Sequence, residues 1–278
     1  MNIFEAVFLG IIEGVTEFLP VSSTGHLTIA EKLLGFKIND PDITAFTAII
    51  QIGAVLATVV YFRKEIWDII TGWINGVTNK TSRTTQEYKL GWGIIIGSIP
   101  IAVIGLLFKD QVESTLRSLW YIGFALLLWS VVMYAADLYA KQFKHEKDIT
   151  WKDTLLIGLA QCIALVPGVS RSGATMSAGL FRDFDRVTVT KLSFFLSIPA
   201  LLAAGLLQSV TEASAISNGV GWGPTIIATI VSFFVAYAAV AWLLKFVAKH
   251  TFKAFIVYRV ALGIVILLLL ATNTISAT

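Results

Sequence analysis

The chain has few charged residues and almost no cysteine. Asp, Glu, Lys and Arg make up 14% of its 278 residues, against about 25% in a soluble domain. Its one cysteine, Cys162, excludes an intramolecular disulfide. No Lys or Arg precedes Lys32, so we expect no cleavable signal peptide, which requires a basic N-terminal region. The net charge of +3 is too small to indicate nucleic-acid binding, and we expect no nucleic-acid partner.

Long apolar runs replace the missing charges. Hydrophobic residues make up 56% of the chain, and the mean hydropathy is +0.78. A helix needs about 20 apolar residues to cross a bilayer, which predicts an all-α polytopic membrane protein. Six segments have the required length and apolar character: 43–62, 90–108, 119–140, 190–208, 223–245 and 255–272.

Two further apolar stretches, 1–29 and 154–181, are broken in the middle by Pro, Gly, Ser and Thr. Irregular backbone at membrane depth is tolerated only where protein covers it or where it lines a cavity. We therefore predict that both stretches form re-entrant helix–loop–helix hairpins, which do not cross the bilayer.

The basic residues predict the orientation. Sixteen of the 21 Lys and Arg residues fall in four stretches, 63–89, 141–153, 182–191 and 245–259. With two re-entrant hairpins, these four stretches lie on one side of the membrane. The positive-inside rule makes that side cytoplasmic, and both termini are then expected outside.

The two broken segments resemble each other at an offset of 148 residues. The architecture extends this likeness, because each half is one hairpin followed by three spans. We predict one integral-membrane domain, 1–278, with inverted halves of about 1–140 and 150–278 whose hairpin tips meet near the midplane. Secondary transporters share this layout, so a transporter of an anionic lipid or small anion is an alternative. The matching pairs are Gly10 with Gly158, Glu13 with Gln161, Ser22 with Ser170, and Gly25 with Gly173.

The first hairpin carries two glutamates in apolar surroundings. Glu13 and Glu17 are four residues apart and share one face of a helix. Two such carboxylates repel each other and need a proton, a cation or an arginine between them. Mg²⁺ is often held by one or two carboxylates together with substrate phosphates. The alternative is that both glutamates face water near the outer surface.

Hydroxyl groups follow the glutamates. Ser22, Ser23 and Thr24 precede a glycine, and their hydroxyl and backbone N–H groups suit phosphate oxygens. A plain helix break with a capping residue is the alternative. His26 beside them is a candidate acid, base or ligand, although a buried structural histidine would also fit.

The second hairpin carries an arginine within its broken region. Arg171 follows a Pro-Gly pair and has Ser170, Ser172 and Thr175 as neighbours. An arginine at membrane depth is costly without a partner and indicates a functional site. Its planar guanidinium can hold a phosphate with two hydrogen bonds. Pairing with a structural carboxylate is the alternative.

These two motifs resemble those of the undecaprenyl-diphosphate phosphatases linked to bacitracin resistance. Residues 13–26 read EGVTEFLPVSSTGH, similar to the family's glutamate-rich motif with its trailing histidine. Residues 167–175 read PGVSRSGAT, similar to its arginine-containing motif. The length, the number of spans and the motif spacing also agree, so the resemblance covers essentially the whole chain.

The resemblance implies an enzyme of the bacterial plasma membrane that removes the terminal phosphate of a C55 polyprenyl diphosphate on the extracytoplasmic side. It implies a divalent cation, Mg²⁺ or Ca²⁺, and metal binding or base catalysis for Glu13 and Glu17. Ser23 and His26 become candidates for nucleophile and acid or base, with water as a further nucleophile. Whether the protein forms a homodimer stays open, as does a sensor that only binds the lipid. The expected catalytic set is Glu17, Ser23, His26 and Arg171, and the expected diphosphate-binding set is Ser22, Thr24, Ser170, Arg171, Ser172 and Thr175.

Overall fold

The computed structural model describes residues 1–38, 40–108, 111 and 118–277. These residues are helical apart from their connections and one isolated bridge between Lys144 and Phe184. The α-helices with described bounds are α1 (Ile3–Thr16), α2 (Ser23–Leu33), α3 (Pro41–Tyr61), α4 (Arg63–Thr78), α5 (Gln86–Leu107), α6 (Leu119–Tyr139), α7 (Trp151–Ile163), α8 (Arg171–Phe181), α9 (Arg186–Thr211), α10 (Ala213–Asn218), α11 (Trp222–Val247) and α12 (Lys253–Ala271).

Six of these helices are long and apolar enough to cross a membrane, namely α3, α5, α6, α9, α11 and α12. They coincide with the six predicted spans, which confirms the all-α polytopic fold class. The sequence predicts no helix in the basic stretch 63–89, and this is wrong, because α4 occupies Arg63–Thr78 and packs against α5. The two basic residues between the second and third predicted spans, Lys109 and Arg117, lie outside the described residues.

The two broken segments each form a pair of short helices. We call α1 and α2, with the break at 17–22, the first hairpin, and α7 and α8, with the break at 164–170, the second hairpin. In each pair the two helices pack against each other. Phe18 anchors the first break in the core, where its ring lies edge-on to Phe194 of α9 at a centroid distance of 5.0 Å.

Both hairpins begin with the same capping arrangement at an offset of 148 residues. Asn2 caps α1 and exchanges hydrogen bonds with Glu5. Thr150 caps α7 and exchanges hydrogen bonds with Asp153. Such a capping box satisfies two backbone donors at a helix start. This agreement extends the likeness of the halves beyond the pairs identified in the sequence.

Each hairpin also makes a close crossing through a matched glycine. A Cβ atom on Gly10 would lie 2.6 Å from the Ala228 carbonyl oxygen of α11, and one on Gly158 would lie 2.0 Å from the Gly97 carbonyl oxygen of α5. The first hairpin therefore packs against the second half of the chain, and the second hairpin against the first half. This exchange supports an arrangement of two related halves.

Ion pairs join the elements around the second hairpin and α9. Arg186 at the start of α9 pairs with Asp137 of α6, and Lys191 pairs with Glu65 and Glu146. Burial by itself raises the pKa of the Asp185 carboxyl, but hydrogen bonds from Thr188 and His145 bring that pKa below its usual value. The charged residues at 182–186 thus form a helix cap and ion pairs.

Candidate functional site

The two hairpin breaks have the same backbone geometry. Ser22 and Ser170 immediately precede α2 and α8, with φ angles of 76° and 75°. Each serine hydroxyl accepts a hydrogen bond from the backbone N–H three residues later, from Gly25 at 3.3 Å and from Gly173 at 3.1 Å. Both α2 and α8 are therefore preceded by a capping serine in the left-handed region.

The tips of the two hairpins are in contact. The guanidinium of Arg171 donates to one carboxylate oxygen of Glu17. The hydroxyl of Ser23 donates to the other carboxylate oxygen. Ser172 adds a further link, because its hydroxyl donates to the carbonyl oxygen of Leu19 at 2.9 Å. The sequence predicted that the tips meet, and these contacts join them around Glu17.

Glu13 lies one helical turn before Glu17 and is fully buried. The backbone N–H of Glu17 donates to the Glu13 carbonyl oxygen at 2.9 Å, so both residues share a face as predicted. Within the described residues, no N–H or hydroxyl group donates to the Glu13 carboxyl oxygens. The carboxylates of Glu17 and Glu31 and the guanidinium of Arg171 lie within electrostatic range of Glu13. A buried carboxylate in this position requires a compensating partner.

This donor set fits a hard divalent cation held jointly with a substrate. Carboxylate oxygens are the ligands that Mg²⁺ and Ca²⁺ prefer, and Glu13 offers two that receive no hydrogen bond. Across 1–38, 40–108, 111 and 118–277, however, no three His, Cys, Asp or Glu residues are grouped closely enough to hold a metal alone. A cation at Glu13 and Glu17 would need water and phosphate oxygens to complete its coordination.

A cavity of about 640 Å³ adjoins the meeting point of the hairpins. Its lining includes Glu17 and Arg171 and is otherwise mostly apolar, with apolar side chains from α5, α9 and the second hairpin break. A cavity of this size and lining is typical of a binding site for a small molecule or part of a lipid. Predicted site residues on its wall are Glu17, Ser22, Ser23, Thr24, Ser170 and Arg171, and apolar residues on it include Ile101, Leu106, Leu165, Ala200 and Leu207.

Four other predicted site residues do not line this cavity: Glu13, His26, Ser172 and Thr175. His26 lies between the Ser22 carbonyl oxygen, 2.7 Å from its Nδ1, and the Tyr258 hydroxyl, 2.6 Å from its Nε2. Thr175 donates to the Arg171 carbonyl oxygen at 2.9 Å and is 2.7 Å from the Ser193 hydroxyl. Through these contacts His26 attaches the first hairpin to α12, and Thr175 attaches the second hairpin to α9.

Sequence reasoning missed Arg259. We counted it among the cytoplasmic basic residues of 245–259, but it lies within α12 and is fully buried. Its guanidinium donates to the carbonyl oxygens of Pro20 at 3.3 Å and Gly168 at 2.8 Å, and to the Ser130 hydroxyl at 3.3 Å. One side chain thus ties both hairpin breaks to α6 and α12. Its place five residues into an apolar run, beside a basic loop, was the only sequence signal.

The sequence is similar to known proteins over its whole length. The family described as bacitracin resistance protein BacA matches residues 6–265. An undecaprenyl-diphosphatase 3 of Frankia casuarinae is 63% identical over 278 residues, covering 100% of both chains. An undecaprenyl-diphosphatase of Cutibacterium acnes is 54% identical, and an undecaprenyl-diphosphatase 1 of Streptomyces avermitilis is 48% identical, each covering at least 99% of both chains. The chain therefore belongs to the bacitracin resistance protein BacA family.

Proposed function

We propose that this chain hydrolyses undecaprenyl diphosphate to undecaprenyl phosphate and inorganic phosphate. Its membership of the BacA family and its full-length likeness to undecaprenyl-diphosphatases support this activity. The observation that carries it is the cluster of Arg171, Glu17 and Ser23 on the wall of a cavity whose lining is mostly apolar. A lipid diphosphate has the same division into an anionic head and an apolar chain. The reaction returns the lipid carrier to envelope polymer synthesis and thereby raises resistance to bacitracin.

Arg171 is the residue best suited to hold the terminal phosphate. A guanidinium can bind a phosphate with two parallel hydrogen bonds while it stabilises the charge that develops during hydrolysis. Its partner Glu17 occupies one terminal nitrogen, Nη2, and its Nε atom has no hydrogen-bond partner among the described residues. Arg171 therefore keeps donor capacity for phosphate oxygens on the wall of the cavity.

Ser23 and Glu17 form the candidate nucleophile and base. The Glu17 carboxylate accepts a hydrogen bond from the Ser23 hydroxyl. It is therefore positioned to remove the hydroxyl proton when the serine oxygen attacks the terminal phosphorus. The bond from that phosphorus to the bridging oxygen then breaks, and undecaprenyl phosphate leaves. Water hydrolyses the resulting phosphoserine; in the direct alternative, a water molecule replaces Ser23 as nucleophile. Both ring nitrogens of His26 contact Ser22 and Tyr258, which favours Ser23 or water over His26.

A divalent cation fits this scheme as a second source of positive charge. When bound by Glu13 and Glu17, it would neutralise phosphate oxygens and act as a Lewis acid. The Glu13 carboxylate receives no N–H or hydroxyl donor among the described residues, while Glu17 also orients Ser23 and Arg171. Loss of Glu17 is therefore expected to disturb more of the site than loss of Glu13.

The proposed setting is the bacterial plasma membrane, with the site facing the extracytoplasmic side. The two hairpins are re-entrant, and the halves 1–140 and 150–278 are inverted copies within one integral-membrane domain. The matched caps, breaks and glycine crossings support the repeat. The loop charges support the orientation. Because Arg259 is buried, the stretch 245–259 contributes three basic residues to this charge pattern in place of four.

Phosphate release by the purified protein tests the activity. Protein in detergent is given undecaprenyl diphosphate with Mg²⁺ or Ca²⁺, and inorganic phosphate is measured against a sample containing a chelator. We expect release that depends on the cation and is abolished by Ser23→Ala together with Arg171→Ala. A transporter or lipid sensor with the same site would bind the lipid and release no phosphate, and that outcome would overturn the proposal.

A further inference from the structure

The side-chain amide of Gln161 is buried on the wall of the cavity. Its side chain is fully buried in α7. Neither its Oε1 nor its Nε2 has a hydrogen-bond partner among the described residues, and it lines the same cavity as Arg171. An unpaired buried amide costs free energy that a well-packed apolar side chain would avoid. Its presence on the cavity wall therefore points to a ligand that completes its hydrogen bonds.

We propose that Gln161 is a further substrate-binding residue, whose carboxamide N–H groups donate to phosphate oxygens of the lipid diphosphate. This inference rests on the proposed function and adds a residue to that site. Gln161 belongs to the second hairpin, as does Arg171, and both lie on the wall of one cavity. Arg171 supplies charge to the diphosphate, and Gln161 supplies neutral donors.

A neighbouring hydroxyl has the same unexplained environment. Ser98 of α5 is buried, lines the cavity, and its hydroxyl oxygen has no hydrogen-bond partner within the described part of the chain. The close crossing of Gly97 and Gly158 brings this part of α5 against α7. The crossing thus presents two groups able to donate, one from each helix, to the cavity. Both groups suit an acceptor-rich ligand such as a diphosphate.

The repeat explains why this position carries an amide. Gln161 matches Glu13 at the offset of 148 residues, and both are fully buried with unpaired oxygens. At the Glu13 position a carboxylate can attract a cation. A carboxylate at the Gln161 position would lie beside the anionic head of the substrate and repel it. The amide keeps the shape, removes the charge and adds two donors.

Two variants and one control test the assignment. Gln161→Met replaces the amide by an apolar chain of similar length, and Gln161→Glu keeps the shape and adds a charge. Gln86→Met is the control, because Gln86 donates to the Glu146 carbonyl oxygen at 2.7 Å and does not line the cavity. The measurements are the melting temperature and the affinity for a methylene-diphosphonate analogue of undecaprenyl diphosphate. Phosphate release from the true substrate is measured alongside.

We expect Gln161→Met to weaken analogue binding about five- to tenfold, the effect of one lost neutral hydrogen bond, without lowering the melting temperature. Gln161→Glu is expected to weaken it at least about a hundredfold through like-charge repulsion. Gln86→Met is expected to bind the analogue with wild-type affinity and to have a lower melting temperature than wild type. An affinity within twofold of wild type in Gln161→Met overturns the proposal. A lower cation requirement in Gln161→Glu also overturns it, because Gln161 would then be a metal ligand.

The analogue separates this proposal from the proposed function. A wild-type protein that binds the analogue but releases no phosphate from undecaprenyl diphosphate is not a phosphatase, and the Gln161 variants still decide the role of the amide by their affinities. A wild-type protein that does not bind the analogue overturns both proposals.

Discussion

Arg171 donates to Glu17 across 154 positions of the chain, and this ion pair joins the tips of the two hairpins. The same carboxylate accepts a hydrogen bond from the Ser23 hydroxyl, so the candidate base, the candidate nucleophile and the candidate phosphate-binding arginine form one connected group. A change at either end of the pair is expected to act on both hairpins.

Arg171→Lys keeps a positive charge near Glu17 but removes the planar fork that binds phosphate through two hydrogen bonds. We expect turnover to fall by at least about 100-fold, the usual effect of losing a donor to the transition-state charge. Melting temperature and membrane insertion are expected to change little. Arg182→Lys is the control, since Arg182 pairs with Asp153 outside the cavity. Near wild-type turnover in Arg171→Lys would assign Arg171 a structural role.

Glu17→Gln and Glu13→Gln are expected to differ in their response to cation. Glu17 orients Ser23 and Arg171, so its loss is expected to lower the maximum rate by about 10²-fold or more, without recovery at high cation. Glu13→Gln is expected to need more cation and to recover partly as cation is raised. A titration of the hydrolysis rate against Mg²⁺ measures both effects. Glu5→Gln is the control, because Glu5 lies in α1, as Glu13 does. Unchanged cation dependence in both variants would remove the glutamates from the metal site.

Arg259→Met is expected to destabilise the protein by about 2–3 kcal/mol, because it leaves two buried carbonyl groups without their donor. Arg259→Lys is expected to fall between this variant and wild type, since an ammonium lacks the geometry to reach both breaks. The check is thermal unfolding in detergent. Arg83→Lys serves as control, since Arg83 donates to the Gly76 carbonyl oxygen away from the hairpins. Equal stability of Arg259→Met and wild type would contradict the bridging role.

Gly158→Ala is expected to destabilise the packing of α7 on α5 by about 2 kcal/mol or more, the usual result of overpacking a tight contact. The added Cβ would lie 2.0 Å from the Gly97 carbonyl oxygen. A Cβ added at Gly10 would lie farther from its neighbour, at 2.6 Å from the Ala228 carbonyl oxygen. Gly10→Ala is therefore expected to be milder. Gly223→Ala is the matched control, because its Cβ would meet nothing within 4 Å. If Gly10→Ala lowered the melting temperature more than Gly158→Ala, the helices at these crossings would be shown to shift readily around an added methyl group.

Cysteine labelling tests the orientation. With Cys162 replaced, a cysteine at Ser217 is expected to react with an impermeant thiol reagent in intact cells, and a cysteine at Lys80 is not. Both positions are exposed in the structure, so accessibility to the reagent depends on the side of the membrane alone. The opposite pattern of labelling would overturn the orientation and the outside-facing site.

The sequence predicted the spans well, because uninterrupted apolar runs must be helical at membrane depth. It also identified Arg171, Glu17 and Ser23 as candidates, because charged and hydroxyl groups are unusual in such surroundings. It missed Arg259, because an arginine beside a basic loop has the same sequence pattern whether it faces water or reaches inward. It missed α4, whose apolar residues recur at helical spacing between polar ones and so form no uninterrupted apolar run. Which hydroxyls line the cavity depends on tertiary contacts, such as that between Thr175 and Ser193.

The φ angles of Ser22 and Ser170 have a consequence for directed evolution. A non-glycine residue in the left-handed region costs roughly 1 kcal/mol, and glycine would avoid that cost at either position. The strain occurs at both breaks, with φ values of 76° and 75°, so each serine is retained despite it. A selection for heat resistance alone is therefore expected to return Ser22→Gly and Ser170→Gly, and a selection for bacitracin resistance to restore the serines. Substitutions at the two hairpin breaks would then raise the melting temperature and lower the rate of turnover at the same time.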